Sequence, residues 1–185
     1  MKIDRRHFLI GSAALLSAPA FAQGQVPVVT TSLGRVRGTR EAGLSVFRGI
    51  RYGTARRFKA PSAPPASREI LDATAFGPSS PQRGDRYRPM GEEPQYLNIW
   101  TPEAARGGRR PVMAYIHGGA YSSGSVVDPL NFGHHLATSG DVVVVTVNHR
   151  LNALGYLYLA RLDPRFPDSG NAGQLDLILA LRWIR

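Results

Sequence analysis

The sequence has no cysteine in its 185 residues, which excludes disulfide bonds, thiolate metal sites and a cysteine nucleophile. It also has no apolar run near the roughly 20 residues that a membrane span requires, so we expect no stable membrane insertion. Charged residues make up only 19% of the chain against 43% hydrophobic residues, which leaves enough apolar material for a buried core and argues against disorder. The length fits a single domain.

Acidic residues are the scarcer charge, at 13 against 23 basic residues, and the formal net charge is +10. Nearly all of the basic residues are arginines, and they lie in loop-like stretches between apolar runs. A nucleic-acid interface usually shows clustered basic residues with aromatic residues on one element. We therefore expect no nucleic-acid partner, because net charge by itself reports on solubility and non-specific binding.

Residues 1–22 have the layout of an export signal. Lys2 and the pair Arg5-Arg6 precede the apolar stretch Phe8–Leu16, and Ala20-Phe21-Ala22 fits a cleavage site between small residues. Because the paired arginines are followed by apolar residues, the segment resembles a twin-arginine signal. The prediction is an exported protein, periplasmic or secreted, with an uncleaved N-terminal helix as the alternative.

Strand patterns predict the framework of the rest of the chain, residues 23–185. Val28–Thr31 and Arg35–Gly38 alternate around a tight turn and predict a β-hairpin. The other predicted strands are Ser45–Ile50, Tyr96–Trp100, Pro111–Ile116 and Asp141–Val147. We expect a crossover helix at Asn131–Ala137 and a second helix from near Asn171.

The order of these elements predicts an α/β fold. Asp141–Val147 is apolar on both faces, as is typical of a central strand in a sheet that is covered on both sides, and Pro111–Ile116 is also predicted to be a buried strand. Strand, glycine loop, helix, strand and helix alternate as they do in α/β domains. Residues 51–94 hold most of the prolines and many arginines, and predict a long surface excursion without regular structure.

The clearest chemical signal is the string His117-Gly118-Gly119-Ala120-Tyr121, directly after a predicted strand. It matches the HGGG-type loop whose backbone N–H groups bind the oxyanion of an ester-cleavage intermediate. Glycines let consecutive amides converge, since no Cβ atom stands in the way. The alternative is an ordinary turn between a strand and a loop.

Six ordered motifs resemble the type B carboxylesterases, the cholinesterase-like branch of the α/β-hydrolases, from about Val28 to Arg185. They are Phe47–Gly53, Arg57–Pro61, Glu92–Trp100, His117–Gly124, Val145–Leu157 and Gly170–Trp183. The resemblance implies the N-terminal part of an α/β-hydrolase fold, comprising the β-hairpin and the first strands and helices of the central sheet. It also implies hydrolysis of a small-molecule ester through a serine ester, with neither cofactor nor metal.

The resemblance assigns roles to single residues. The amides of Gly119 and Ala120 would form the oxyanion hole, with Gly118 permitting the turn, and Tyr121 would pack against this loop or wall a pocket. His117 would order the loop rather than take protons, while His134 and His135 are expected on the surface of the crossover helix.

Pairings are also implied by the family. Ion pairs are expected between Arg57 and Glu92 and between Arg150 and Asp176, with unrelated solvated charges as the alternative. The cysteines of the family's first disulfide align with Ser80 and Pro94, so loop 80–94 is expected to be held by packing alone.

The attacking group of a serine esterase is not recognisable in this sequence. No G-x-S-x-G turn is present, and the nearest string, Ala120–Gly124, places Ser122 inside the glycine loop without a strand-turn-helix context. The family serine follows the helix that corresponds to the one ending near Trp183. We therefore expect an inactive N-terminal piece of an esterase that lacks the nucleophile, acid and base. A non-catalytic cholinesterase-like interaction module is the alternative.

A partial sheet exposes an unpaired strand edge, which we expect at Val142–Val147. The isolated chain is accordingly expected to be poorly soluble or only partly folded.

Overall fold

The computed structural model describes residues 26–104 and 108–185. The export signal expected at residues 1–22 lies outside this part of the chain. The strands are β1 (Val28–Thr31), β2 (Gly34–Arg37), β3 (Thr39–Glu41), β4 (Leu44–Arg51), β5 (Ile70–Asp72), β6 (Tyr96–Thr101), β7 (Val112–Ile116) and β8 (Val143–Val147). The α-helices are α1 (His134–Gly140), α2 (Asn152–Tyr156) and α3 (Ala172–Ile184), and short 3-10 turns occur at Pro129–Asn131 and Ser169–Asn171.

The strands form two sheets. β1 and β2 pair antiparallel, which confirms the predicted hairpin, and β5 adds to β2 in parallel to complete a small three-stranded sheet. The prediction that excursion 51–94 lacks regular structure was wrong in one place, because β5 lies within it. A three-residue strand with no apolar alternation of its own is recognisable only through its partner.

The larger sheet has the order β3-β4-β6-β8-β7. Its neighbours are antiparallel except for β7 and β8, which run parallel and are joined through α1. The crossover helix is therefore confirmed, although it begins three residues later than predicted, at His134. The second predicted helix is α3.

The core lies on both faces of β8. Val144, Val145 and Val147 are almost completely buried, which confirms the prediction of a central strand. One apolar cluster joins β4, β6, β8 and the inner face of α3, and a second packs Trp100 against α1.

Two strand predictions were wrong. The open edge was expected at Val142–Val147, but β8 lies between β6 and β7, and β7 is the last strand among the described residues. The run Pro111–Ile116 was expected to be buried, yet every residue of β7 is exposed, with Val112 at 52% and Met113 at 46%. The apolar residues of a strand predict that it will be buried, but they do not predict its position in the sheet. That position depends on the path of the chain through α1.

Both expected ion pairs are present. Arg57 contacts Glu92 at the surface, and Arg150 forms a fully buried bidentate pair with Asp176, with Nε and Nη2 at 2.8 and 2.7 Å from the carboxylate oxygens. Arg150 also donates to the carbonyl oxygens of Lys59 and Ala172. The buried pair thus links the end of β8 to α3 and to the excursion.

Within the described ranges, no helix combines the length and apolar character needed to cross a membrane.

The exposed edge strand generates a solubility prediction. An apolar strand with unpaired backbone groups on one side is a template for aggregation, and a charge on it blocks this pairing. Met113→Lys should raise the soluble fraction of the expressed chain. Leu162→Lys is the matched control, since Leu162 is 82% exposed but lies in a loop. Soluble and pelleted protein would be compared on gels. Equal gains from both variants, or cooperative unfolding of an already soluble parent chain, would contradict this prediction.

Candidate functional site

The segment His117–Gly124, termed here the glycine loop, begins directly after β7. The chain segment after β8 packs beside this loop, and the amide of Asn152 in that segment donates to Tyr121 O at 2.8 Å. The Asn152 side chain also donates to Ser122 O at 3.1 Å and to Pro81 O at 3.0 Å. The ends of two neighbouring strands and excursion 51–94 therefore meet at this loop.

Four residues of the loop have positive φ angles. Gly119 and Gly124 have values of +123° and +104°, while the non-glycine residues Ala120 and Tyr121 have +50° and +65°. A left-handed non-glycine residue typically costs about 1–3 kcal/mol and persists only where its surroundings hold it. Such strain clusters at functional sites, which makes this loop the candidate site of the chain.

Glycine is required at Gly119 and Gly124 of the loop, and not at Gly118, where the sequence predicted it. A Cβ atom on Gly119 would lie 2.0 Å from Ser123 O, and one on Gly124 would lie 2.2 Å from Gly118 O. Gly118 was expected to permit the turn, but its φ is not positive and a Cβ atom there would meet nothing within 4 Å. The turn therefore depends on Gly119, whose carbonyl accepts from the amides of Ser122 and Ser123.

The amides of Gly118, Gly119 and Ala120 donate no hydrogen bond to any atom of residues 26–104 or 108–185. All three residues are exposed. Backbone N–H groups nearly always find a partner, so consecutive amides that find none among the described residues are available to solvent or to an anionic ligand.

Two stacked histidines lie at the base of the loop. The rings of His117 and His149 are 4.9 Å apart between centroids, and His117 Nδ1 donates to Gly118 O at 3.0 Å. Burial lowers the pKa of His117, and burial together with the charge of His117 lowers the pKa of His149 to about 4. Both rings are therefore neutral at pH 7. The hydroxyl of Ser122 donates to Gly119 O and not to either ring.

Ser122, which lies in the string nearest to a G-x-S-x-G turn, is exposed and donates from Oγ to Gly119 O at 3.0 Å. Tyr121 is 64% exposed and packs on Tyr156, with 4.7 Å between ring centroids. Both side chains line a cleft of about 430 Å³ together with Ala120, Asn152, Ala153, Tyr156 and Leu157. Tyr121 therefore lines a cleft, as one expectation had it, and packs on α2 rather than on the glycine loop.

The two histidines on α1, His134 and His135, contact residues outside the glycine loop. His135 is exposed as expected, whereas His134 is half-buried, contacts Glu41 at 3.2 Å and packs edge-on against Trp100. In the described part of the chain, no group of three or more potential ligands is arranged to hold a metal ion.

Sequence reasoning missed several residues that hold the loop. Gln82 bonds both backbone groups of Gly124, and Asn152 bonds the loop as described above. Just beyond the loop, Asn148 Oδ1 accepts from the amide of Val126. Loop 80–94 is therefore held by hydrogen bonds as well as packing, in contrast to the expectation. Asn148 lies within a recognised motif, but no local pattern singles out Gln82.

The mixed sheet, the parallel β7–α1–β8 unit and a glycine loop after β7 define an α/β-hydrolase fold. Residues 25–185 match the sequence profile of the Carboxylesterase family, and the chain belongs to this family.

Known esterases resemble the chain in sequence and in structure. It is 39% identical over 169 residues to para-nitrobenzyl esterase from Bacillus subtilis, which covers 85% of this chain and 34% of the relative. It is 34% identical over 191 residues to fumonisin B1 esterase from Sphingopyxis macrogoltabida, covering 96% of this chain and 34% of the relative.

Solved structures agree with this assignment. An esterase from Clostridium hathewayi that can hydrolyse aliphatic aromatic polyesters superposes with a TM-score of 0.82 and 41% identity, over 86% of this chain and 34% of the other. A carboxylesterase from Geobacillus stearothermophilus superposes with a TM-score of 0.78 and 43% identity, over 85% and 34%. The chain therefore spans about a third of the length of these relatives.

The histidine stack generates a pH prediction. The pKa of His149 falls from 6.5 in the unfolded chain to about 4 in the fold, so the unfolded state binds the proton first as the pH falls. This contribution to stability is complete above pH 6.5 and is lost towards pH 4, by up to about 3 kcal/mol. His149→Phe keeps a stacked ring that cannot be protonated, and should flatten the decline.

The measurement is the denaturant midpoint at several pH values, with every protein carrying the solubilising Met113→Lys substitution and with His135→Phe as the exposed control. Glu41 and Asp163 have a pKa of about 2 in the fold and contribute equally to all three proteins. Parallel pH profiles for the parent chain and His149→Phe would show that His149 does not titrate on unfolding as described.

Proposed function

We propose that this chain supplies the oxyanion-binding part of a serine carboxylester hydrolase. The amides of Gly119 and Ala120 would donate to the negatively charged oxygen of the tetrahedral intermediate, while the substrate lies against the cleft beside Tyr121. Serine esterases need a further amide next to the nucleophile, together with an acid and a base. We propose that this nucleophile, acid and base are absent from residues 1–185.

The observation that carries the proposal is the set of exposed loop amides without an acceptor in the described residues. Oxyanion stabilisation requires donors that are already oriented before charge develops. The strained angles of Ala120 and Tyr121 fit this requirement, because a relaxed loop would not hold its amides in one direction. The neutral histidines below the loop add no charge that would compete for the anion.

Carboxylic esters of small molecules are the proposed substrates. Known esterases with about 40% identity over most of this chain support this class. The cleft beside the loop has a mainly apolar lining, including Ala120, Ala153 and Leu157, which suits the uncharged portion of an ester.

A chimera tests the proposal. Residues 25–185 would replace the matched segment of the Bacillus subtilis para-nitrobenzyl esterase, and hydrolysis of p-nitrophenyl butyrate would be followed by absorbance. The chimera should be active, and Gly119→Ala should lower its kcat by about 100-fold or more, as does loss of an oxyanion donor. The physical reason is the close approach of Ser123 O to any Cβ atom on Gly119.

Gly140→Ala is the matched control, because a Cβ atom there meets only side-chain atoms at 3.6 Å and φ is not positive. Ser122→Ala should leave the chimera active. The 185-residue chain alone should hydrolyse p-nitrophenyl butyrate no faster than its own Ser122→Ala variant. Turnover by the chain that Ser122→Ala abolishes would overturn the assignment of the nucleophile. A folded chimera without activity would favour the interaction module.

Export is a separate part of the proposal. We propose that residues 1–22 direct the chain out of the cytoplasm through the twin-arginine route, on the pattern of Arg5-Arg6 before an apolar stretch. Replacing both arginines by lysine keeps the charge and should retain the chain in the cytoplasm of a bacterial host, as measured by fractionation and intact mass. The control replaces Arg109 and Arg110 by lysine. Retention of residues 1–22 on exported protein would contradict cleavage after Ala22.

A further inference from the structure

We infer that Gln82 is a positioning residue that fixes the direction of the glycine-loop amides through Gly124. This inference rests on the proposed function for its catalytic consequence. Its structural part stands on the hydrogen bonds and close contacts of the described residues alone.

Gln82 forms a two-point clamp on a single residue. Its Oε1 accepts from the amide of Gly124 at 2.8 Å, and its Nε2 donates to Gly124 O at 2.9 Å. The same Nε2 donates to Ser80 O at 3.1 Å. A primary amide satisfies a backbone N–H and a backbone C=O together, as a neighbouring strand would, and few side chains have both groups in the required geometry.

Gly124 transmits this clamp to the start of the loop. The position of a Cβ atom on Gly124 is 2.2 Å from Gly118 O and 2.5 Å from His117 Nδ1, so the backbones at the two ends of the loop are in close contact. A displacement of Gly124 would therefore move the peptide that joins Gly118 and Gly119. That peptide carries the Gly119 amide assigned to the oxyanion.

The segment that bears Gln82 is itself fixed to the sheet. Ser80 Oγ accepts from the amide of Leu151 at 2.9 Å, and Ser79 Oγ lies 2.7 Å from Ser125 Oγ in the buried interior. Ser79 and Ser80 are almost completely buried. Since the chain has no cysteine, these polar contacts hold the segment where the family resemblance places a disulfide.

Asn152 and Gln82 bind different parts of the glycine loop, and only Gln82 of these two bonds Gly124. Asn152 holds the middle of the loop, at Tyr121 and Ser122, whereas Gln82 holds its closing residue. The two anchors thus fix different points of one strained segment. Removal of Gln82 should release the Gly124 end while the contacts of Asn152 keep the loop in place.

The first experiment measures hydrogen–deuterium exchange by mass spectrometry on the 185-residue chain that carries the solubilising substitution Met113→Lys. Within residues 117–124, Gln82→Leu should raise exchange of the hydrogen-bonded amides of Ser122 and Ser123 by about fivefold or more, with no change in β8. Gln82→Glu keeps the acceptor for the Gly124 amide but loses both donated bonds. Its loop exchange should therefore lie between that of the unsubstituted Gln82 chain and that of Gln82→Leu. Gln174→Leu is the matched control, because Gln174 is exposed on α3.

The second experiment measures kinetics in the esterase chimera. Gln82→Leu should lower kcat by about tenfold or more, as misplaced catalytic groups do, while KM for p-nitrophenyl butyrate changes less than about twofold. The split is expected because the oxyanion exists only in the transition state. A merely structural role would lower the amount of folded enzyme and leave the kcat per folded molecule unchanged.

The outcomes separate the two proposals. Unchanged loop exchange in Gln82→Leu would overturn the positioning role, and so would an unchanged kcat in an active chimera. Faster loop exchange together with an inactive parent chimera would support the clamp and reject the proposed function. If Gln82→Leu raises exchange in β8 as well, it has unfolded, and Gln82→Glu decides between the same outcomes.

Discussion

Arg150 and Asp176 form a buried ion pair on which the arrangement of the site depends. Both side chains are almost completely removed from solvent, and burial of two charges is favourable only when every polar atom around them finds a partner. The guanidinium meets this condition with the carboxylate and three backbone carbonyls. Because the pair fixes the chain directly after β8, it also fixes Asn152, whose amide holds the glycine loop.

The glycine loop shows how strain and polarity are combined at one place. Two consecutive left-handed residues, Ala120 and Tyr121, are unfavourable by themselves, and the hydrogen bonds from Asn152 and Gln82 hold the segment around them. The histidines beneath are neutral, since burial disfavours their charged form. The exposed amides therefore supply the positive end of the local dipoles without a competing cation on the loop.

Much of this arrangement could be predicted from the sequence, and the failures have a common cause. The hairpin, the central strand β8, the helices α1 and α3 and both ion pairs follow from local patterns or recognised motifs. The position of β7 at the edge, the strand β5 and the contact of His134 with Glu41 do not. Each of these depends on which distant segment lies alongside, and no periodicity within a segment encodes its neighbour.

The sequence by itself determined the types of element, the α/β class, the family and the location of the loop at residues 117–124, because hydrophobic periodicity and glycine spacing are local properties. Only the tertiary structure decided that Gly119 and Gly124, rather than Gly118, require glycine. It also decided that Gln82 closes the loop from 42 residues away in the chain. Positive φ angles and close backbone approaches arise when separate segments pack together, and they have no signature in the order of residues alone.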